Sequence, residues 1–139
     1  MLDAKGKMIR AYLSASFKAP ASTSVKVPWN AVAENNFNDD YENYLKLVDG
    51  DIHIMSDNIT TVLVTISYST QPFDGLSYAY ICKNGIQYNA DFGVNNIRTS
   101  TLALQVKKGD YISSNVFFAG FDGTVDSWAS ASYMQITVI

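Results

Sequence analysis

The 139 residues include one histidine, His53, and one cysteine, Cys82. Serine, cysteine and zinc hydrolases draw on an imidazole base or on several imidazole ligands, so most of them are beyond the means of this chain. His53 stands between Ile52 and Ile54, where strand alternation turns it away from a core. Cys82 alternates with Tyr78 and Tyr80, has Lys83 as its one basic neighbour in sequence, and reads as a small buried apolar residue. Carboxylates remain, and a glycosidase needs only two. The acids gather as Asp39, Asp40 and Glu42 and as Asp122 and Asp126, but nothing beside either group would raise one pKa while leaving its partner ionised. Asp122-Gly123-Thr124-Val125-Asp126 spaces its oxygens too sparsely for a dedicated calcium loop. No catalytic residue, metal or cofactor is expected.

Recognition is the chemistry left. A saccharide site combines an aromatic plate for the apolar face of a pyranose with short polar groups for its hydroxyls. Phe121, Asp122, Asp126, Ser127 and Trp128 supply both within one irregular stretch, and Phe73 with Asp74 forms a smaller pair. Asn35, Asn36, Asp39 and Asp40 form a purely polar set. A second reading of Trp128 is a ring that closes the end of a sandwich.

Ten basic against thirteen acidic residues give a net charge of −3, the wrong sign for affinity built on neutralising phosphates, so nucleic acid is not an expected partner. No apolar run approaches the ~18 residues needed to cross a bilayer, and Met1-Leu2-Asp3-Ala4-Lys5-Gly6-Lys7 lacks the basic-then-apolar order of a secretory signal. Membrane insertion is not expected. With 47% apolar residues, a chain of this length buries enough surface to fold as one domain without disulfides. We read residues 1–8 as a tail or the remnant of a stalk connection and 9–139 as a single head domain.

The elements that position these residues follow a period of two. Val62, Val64, Ile66 and Tyr68 share one face of a β-branched run, with Thr61, Leu63, Thr65 and Ser67 on the other. Met134, Ile136 and Val138 alternate likewise near the end of the chain. Strands are expected near 9–18, 24–32, 41–48, 51–56, 60–70, 76–84, 86–92, 98–106, 110–119 and 129–139. Turn chemistry at Asp49-Gly50, Asp57-Asn58, Asn84-Gly85 and Gly109-Asp110 suits two-stranded connections, most sharply at Asn84-Gly85. Residues 30–44, 69–75 and 119–128 read as loops. The sum is an all-β sandwich or barrel of about ten antiparallel strands.

The order of these pieces resembles the trimeric jelly-roll heads of the complement-component-one-q and tumour-necrosis-factor superfamily. The resemblance spans residues 10–139. It rests on Arg10-Ala11-Tyr12-Leu13-Ser14-Ala15, on Val27-Pro28-Trp29-Asn30-Ala31-Val32-Ala33-Glu34-Asn35, on the central strand ending Ser67-Tyr68, and on Lys83-Asn84-Gly85. Ser100 to Tyr111 and a strand at the chain's last residues complete it. Asp57-Asn58-Ile59-Thr60-Thr61-Val62 stands where members of the family carry a Gly followed by an aromatic, which looks like a divergent bacteriophage or bacterial branch. The resemblance implies a jelly-roll sandwich assembled as a homotrimer and a packing role for Trp29. Tyr78, Tyr80 and Tyr12 are assigned to the trimer interface, since Tyr78 and Tyr80 stand opposite Ala79 and Ile81 on a strand apolar on both faces, the alternative being a monomer core with tyrosine hydroxyls at its rim. The aromatic content of 13% suits an interface, since rings carry much of the energy of association. The expected function is a non-enzymatic receptor-binding head of a bacteriophage tail fibre or baseplate protein, at the virion tail tip or cell exterior, recognising cell-surface saccharide. The alternatives are a structural trimerisation cap or the head of a bacterial collagen-like surface protein, then a secreted cytokine-type head, then an enzyme.

Overall fold

The alternating runs form strands, and the longest run makes the longest strand. A computed structural model describes residues 4–37, 40–71, 75–93, 97–127 and 132–139, with 90–93 and 97–98 described by their backbone alone. The strands are β1 (Met8–Tyr12), β2 (Phe17–Ala19), β3 (Val25–Lys26), β4 (Ala31–Asn35), β5 (Leu45–Val48), β6 (Asp51–Ile54) and β7 (Thr61–Gln71). They continue as β8 (Ser77–Lys83), β9 (Ile86–Gly93), β10 (Ile97–Gln105), β11 (Tyr111–Phe118), β12 (Gly123–Val125) and β13 (Tyr133–Val138). One sheet runs β2-β12-β7-β13-β1-β4 with β10 also on β7; the other runs β5-β6-β11-β8-β9 with β3 on β11. The two antiparallel sheets make the expected jelly-roll sandwich.

The inner faces carry the predicted residues. Val62, Val64, Ile66, Tyr68, Met134, Ile136 and Val138 are buried from the first sheet, against Ile52, Ile54, Ile81, Ile112, Val116 and Phe118 from the second. Burying each such side chain contributes about 1.5–3 kcal/mol. Trp29 is buried as expected, with its ring centroid 5.9 Å from that of Tyr68 and its Nε1–H donated to Ser114 Oγ at 2.8 Å. The Tyr68 hydroxyl donates to the carbonyl of Asn115 at 3.1 Å, and burial pushes its pKa far up.

Several expectations need correction. The runs 9–18 and 24–32 each divide into two strands. Pro28 has no N–H to give a ladder, and Trp29 turns into the core, so the second run breaks there. The loop assigned to 30–44 contains β4, an edge strand on β1 that needs no alternation because most of it is exposed. The loop assigned to 119–128 contains β12, which pairs with β2 and the far end of β7 and is too short to show a period. Within residues 1–8, read as a tail or the remnant of a stalk connection, residues 4–8 are bonded to the rest of the chain: Ala4 is buried, Gly6 N–H donates to Val138 O at 2.7 Å, and Asn36 Oδ1 accepts from Met8 N–H at 2.6 Å.

Two of the four turn signals close hairpins. Asn84 and Gly85 have φ of 53° and 80°, and Asp49 and Gly50 have 51° and 84°, the positive pair that a type I′ turn demands. Asp57-Asn58 and Gly109-Asp110 instead carry the chain from one sheet to the other, since β6 and β7, and likewise β10 and β11, lie in different sheets. Asp110 is buried at that crossing. Its Oδ1 accepts from Asn84 Nδ2 and its Oδ2 from Lys107 N–H, both at 3.0 Å. The Asn84 hydrogen bond, with the Lys107 N–H, holds its carboxyl below the usual carboxylate range despite burial.

Two outcomes follow from this packing. Ser114→Ala leaves the buried Trp29 N–H without an acceptor and lowers unfolding free energy by about 1–3 kcal/mol in urea titration. Because the folded pKa of Asp110 is depressed, its stabilisation is present above the ordinary carboxylate pKa of 3.8 and fades as pH falls through the lower folded value. Wild type therefore loses stability below about pH 4 more steeply than Asp110→Asn, which is already weaker at neutral pH.

Candidate functional site

The residues set aside for a saccharide do not converge. Phe121 is half-buried, its ring edge-on to Phe118 at 5.4 Å and so close over Gly75 that a Cβ there would meet it at 2.2 Å. It packs on the core. Asp122 and Asp126 lie beyond opposite ends of β12, about 13 Å apart along an extended chain. Asp122 Oδ1 accepts from Ala21 N–H at 2.9 Å and helps line a cavity of about 490 Å³ with Lys18, Pro20 and Thr124. Asp126 Oδ2 accepts from Ser69 Oγ at 2.8 Å, and its own N–H donates to Ser69 O at 2.8 Å. Ser127 is half-buried beside it; Trp128, Phe73 and Asp74 lie outside the described residues.

The polar set is likewise in use. Asn35 Oδ1 accepts from Phe37 N–H at 3.2 Å, Asn36 holds the first residues of the chain, and Asp40 Oδ1 accepts from Glu42 N–H at 3.0 Å, capping the 3-10 turn Tyr41–Asn43. Asp39 lies outside the described residues. Cys82 is buried, and burial pushes its thiol pKa up, away from thiolate chemistry. His53 is half-buried, its ring 5.5 Å from that of Tyr111 on the outer face of the second sheet. Among the described residues no group of three or more His, Cys, Asp or Glu side chains is placed to hold a metal.

The three tyrosines assigned to a self-association surface fall on two faces. Tyr78 and Tyr80 stand on the outer face of the second sheet, parallel to each other at 6.3 Å, with Phe117 edge-on to Tyr78 at 5.7 Å. Tyr12 stands on the outer face of the first sheet, opposite Tyr133 on β13. Contacts through antipodal faces stack copies into an open array, whereas a closed ring of three needs two patches inclined to each other, such as a face and an edge. The structure supplies such a pair. The outer face of the first sheet sets Tyr12, Tyr133, Ser67 and Thr99 in one row and Arg10, Gln135, Thr65 and Thr101 in the next. Arg10 donates to Gln135 Oε1 at 2.9 and 3.0 Å and lies 3.9 Å over the Tyr133 ring, so the centre is flat, with short side chains toward β10. The edge is β9, where Ile86 is 62% and Tyr88 49% exposed. Sequence reading missed this face; its signal is the Thr and Ser alternation on the polar side of the runs 61–67 and 99–101.

No family model matches the sequence, and no curated protein does either. The fold has solved counterparts. Murine APRIL at pH 5.0 superposes with a TM-score of 0.69 at 8% identity, over 97% of this chain and all of that one. Eiger, a TNF from S. frugiperda, gives 0.60 at 14%, over 96% of this chain and 90% of its own. Rabbit GITRL gives 0.56 at 12%, over 96% and 93%. Such identities speak for the fold alone. Among the described residues no helix is long and apolar enough to cross a membrane.

The placement of Asp126 makes it a structural acid. Asp126→Ala removes the acceptor of the buried Ser69 hydroxyl and lowers unfolding free energy by about 1–3 kcal/mol, read as a shifted urea midpoint with no saccharide present. From β1 to β13 the chain folds as a jelly roll of the kind seen in these solved structures.

Proposed function

We propose that the protein is a homotrimeric, non-enzymatic receptor-binding head of a bacteriophage tail fibre or baseplate protein, acting at the tail tip or cell exterior on cell-surface saccharide. The observation that carries the trimer is the pairing of the flat outer face of the first sheet with the apolar edge at β9. An exposed edge bearing Ile86 and Tyr88 is a liability in a lone subunit and an asset against a face of short side chains. Tyr12 belongs to that face, while Tyr78 and Tyr80 remain outside this three-fold contact.

The placing of the ends supports an attachment role. Gly6 N–H reaches Val138 O, so both described ends leave from one end of the sandwich, and β2, β12 and the segment 27–30 lie toward the other. A head joined to a fibre through its N-terminal side presents that other end to a surface. Three identical sites on one rigid body raise weak saccharide affinity through effective concentration, which suits a repeating polymer.

Light scattering coupled to gel filtration tests the assembly: the expected mass is three times the 15.3 kDa protomer. Thr65→Arg, at the centre of the face, is expected to release folded monomers with unchanged circular dichroism. A wild-type mass of one protomer overturns the proposal. A trimer that attaches to no bacterial envelope fraction would instead fit a structural trimerisation cap.

A further inference from the structure

The cavity of about 540 Å³ between β1, β2 and the β5–β6 turn has the chemistry of a sugar subsite, and no residue assigned to saccharide in the sequence reading lines it. Its lining is mixed, with an apolar patch beside polar groups. Phe17 and Leu47 are half-buried, each packed on the core from one side and lining the cavity from the other, with Leu13 and Trp29 beneath and Pro28 at the rim. Two polar side chains at the mouth, the Ser16 hydroxyl and the Asp49 carboxylate, have no hydrogen-bond or ionic partner among the described residues. Asn30, also on the lining, is already committed: its Oδ1 accepts from Ser14 N–H and its Nδ2 donates to Ser14 Oγ, both at 2.9 Å.

The turn chemistry builds this mouth. Asp49 holds φ at 51° in the type I′ turn, and its exposed side chain is on the cavity lining. Gly50 is buried against the chain: a Cβ there would stand 2.9 Å from Val27 O, so the turn lies hard against the 27–30 segment. Strand alternation on β2 then separates Phe17, on this cavity, from Lys18, on the one that holds Asp122. The second cavity has no aromatic on its lining, and its carboxylate is spent on Ala21 N–H.

Resting on the saccharide-binding head proposed above, we infer that this cavity binds a neutral hexose unit. The ring's apolar face lies against Phe17 and Leu47, and two vicinal hydroxyls donate to Asp49. An unpaired carboxylate accepts hydroxyl donors strongly and repels an acidic sugar, which sets the class. In the second sheet β5 and β9 are opposite edges, so the cavity does not lie on the edge patch of the proposed trimer.

Nuclear magnetic resonance titration of the ¹⁵N-labelled protein tests the site, with methyl α-mannoside, methyl α-glucoside and methyl β-galactoside as neutral probes and glucuronate as the acidic one. At least one neutral probe is expected to shift the amides of Ser16, Phe17 and Gly50 and to bind more tightly than glucuronate. Asp49→Asn keeps the turn, since Asn also takes positive φ, and should weaken binding about tenfold or more. Ser16→Ala gives a second, milder loss. Shifts gathered around Asp122 and Thr124, an Asp49→Asn protein that binds like wild type, or no shift with any neutral probe overturns the inference. Attachment of the trimer to a panel of bacterial cells separates this site from the broader reading. Periodate-sensitive attachment untouched by Asp49→Asn retains the saccharide head and removes this site, and periodate-insensitive attachment removes both.

Discussion

Tyr68 spans the sandwich. It leaves the inner face of β7, in the first sheet, and its hydroxyl reaches the carbonyl of Asn115 on β11, in the second. Beside it, the Trp29 indole donates to Ser114 on the same strand, 5.9 Å from the Tyr68 ring. Two stacked sheets held by aliphatic contact alone could slide, because apolar burial is non-directional. A buried Tyr68 hydroxyl that must find its acceptor across the gap removes that freedom, and the Trp29 indole fixes the neighbouring segment on β11, since an unpaired buried N–H or O–H costs about 1–3 kcal/mol. The sheet-to-sheet register, and with it the placing of every loop, depends on these contacts.

The candidate sites inherit that register. Trp29 turns inward at the break after Pro28, and Val27 N–H donates to Ser114 O at 2.9 Å, so the 27–30 segment is held against β11. Gly50 then packs against Val27, and the cavity under Asp49 takes its form from a turn in the second sheet meeting the end of β1 in the first. At the other edge β10 packs beside β9, bringing the exposed Ile86 and Tyr88 near the flat face of the first sheet. The β9 edge and the cavity beneath the β5–β6 turn lie at opposite edges of the second sheet.

Polar residues in the loops turned out to be mostly structural. Asp110, Asp122, Asp126, Asn36 and Asp40 each accept a hydrogen bond from a nearby backbone or side chain. Short polar side chains do this readily, satisfying backbone groups that no ladder serves. Asp49 differs because its turn is closed by backbone conformation, leaving the carboxylate free. Composition cannot separate these cases, since both show as an acid in a turn.

The sequence alone determined the all-β class, the inner faces of the long strands and the Asn84-Gly85 and Asp49-Gly50 hairpins. Each of these is local: alternation and positive-φ residues act over a few neighbours. Tertiary structure decided what depends on partners far along the chain. It placed β4 and β12 as strands, because an edge strand and a three-residue strand are held by their neighbours and carry no period of their own. It turned Asp57-Asn58 and Gly109-Asp110 into crossings between sheets, because the same turn residues serve either purpose. It set Tyr12 and Tyr78 on opposite faces and divided Asp122 from Asp126, because the direction of a side chain follows the sheet its strand joins.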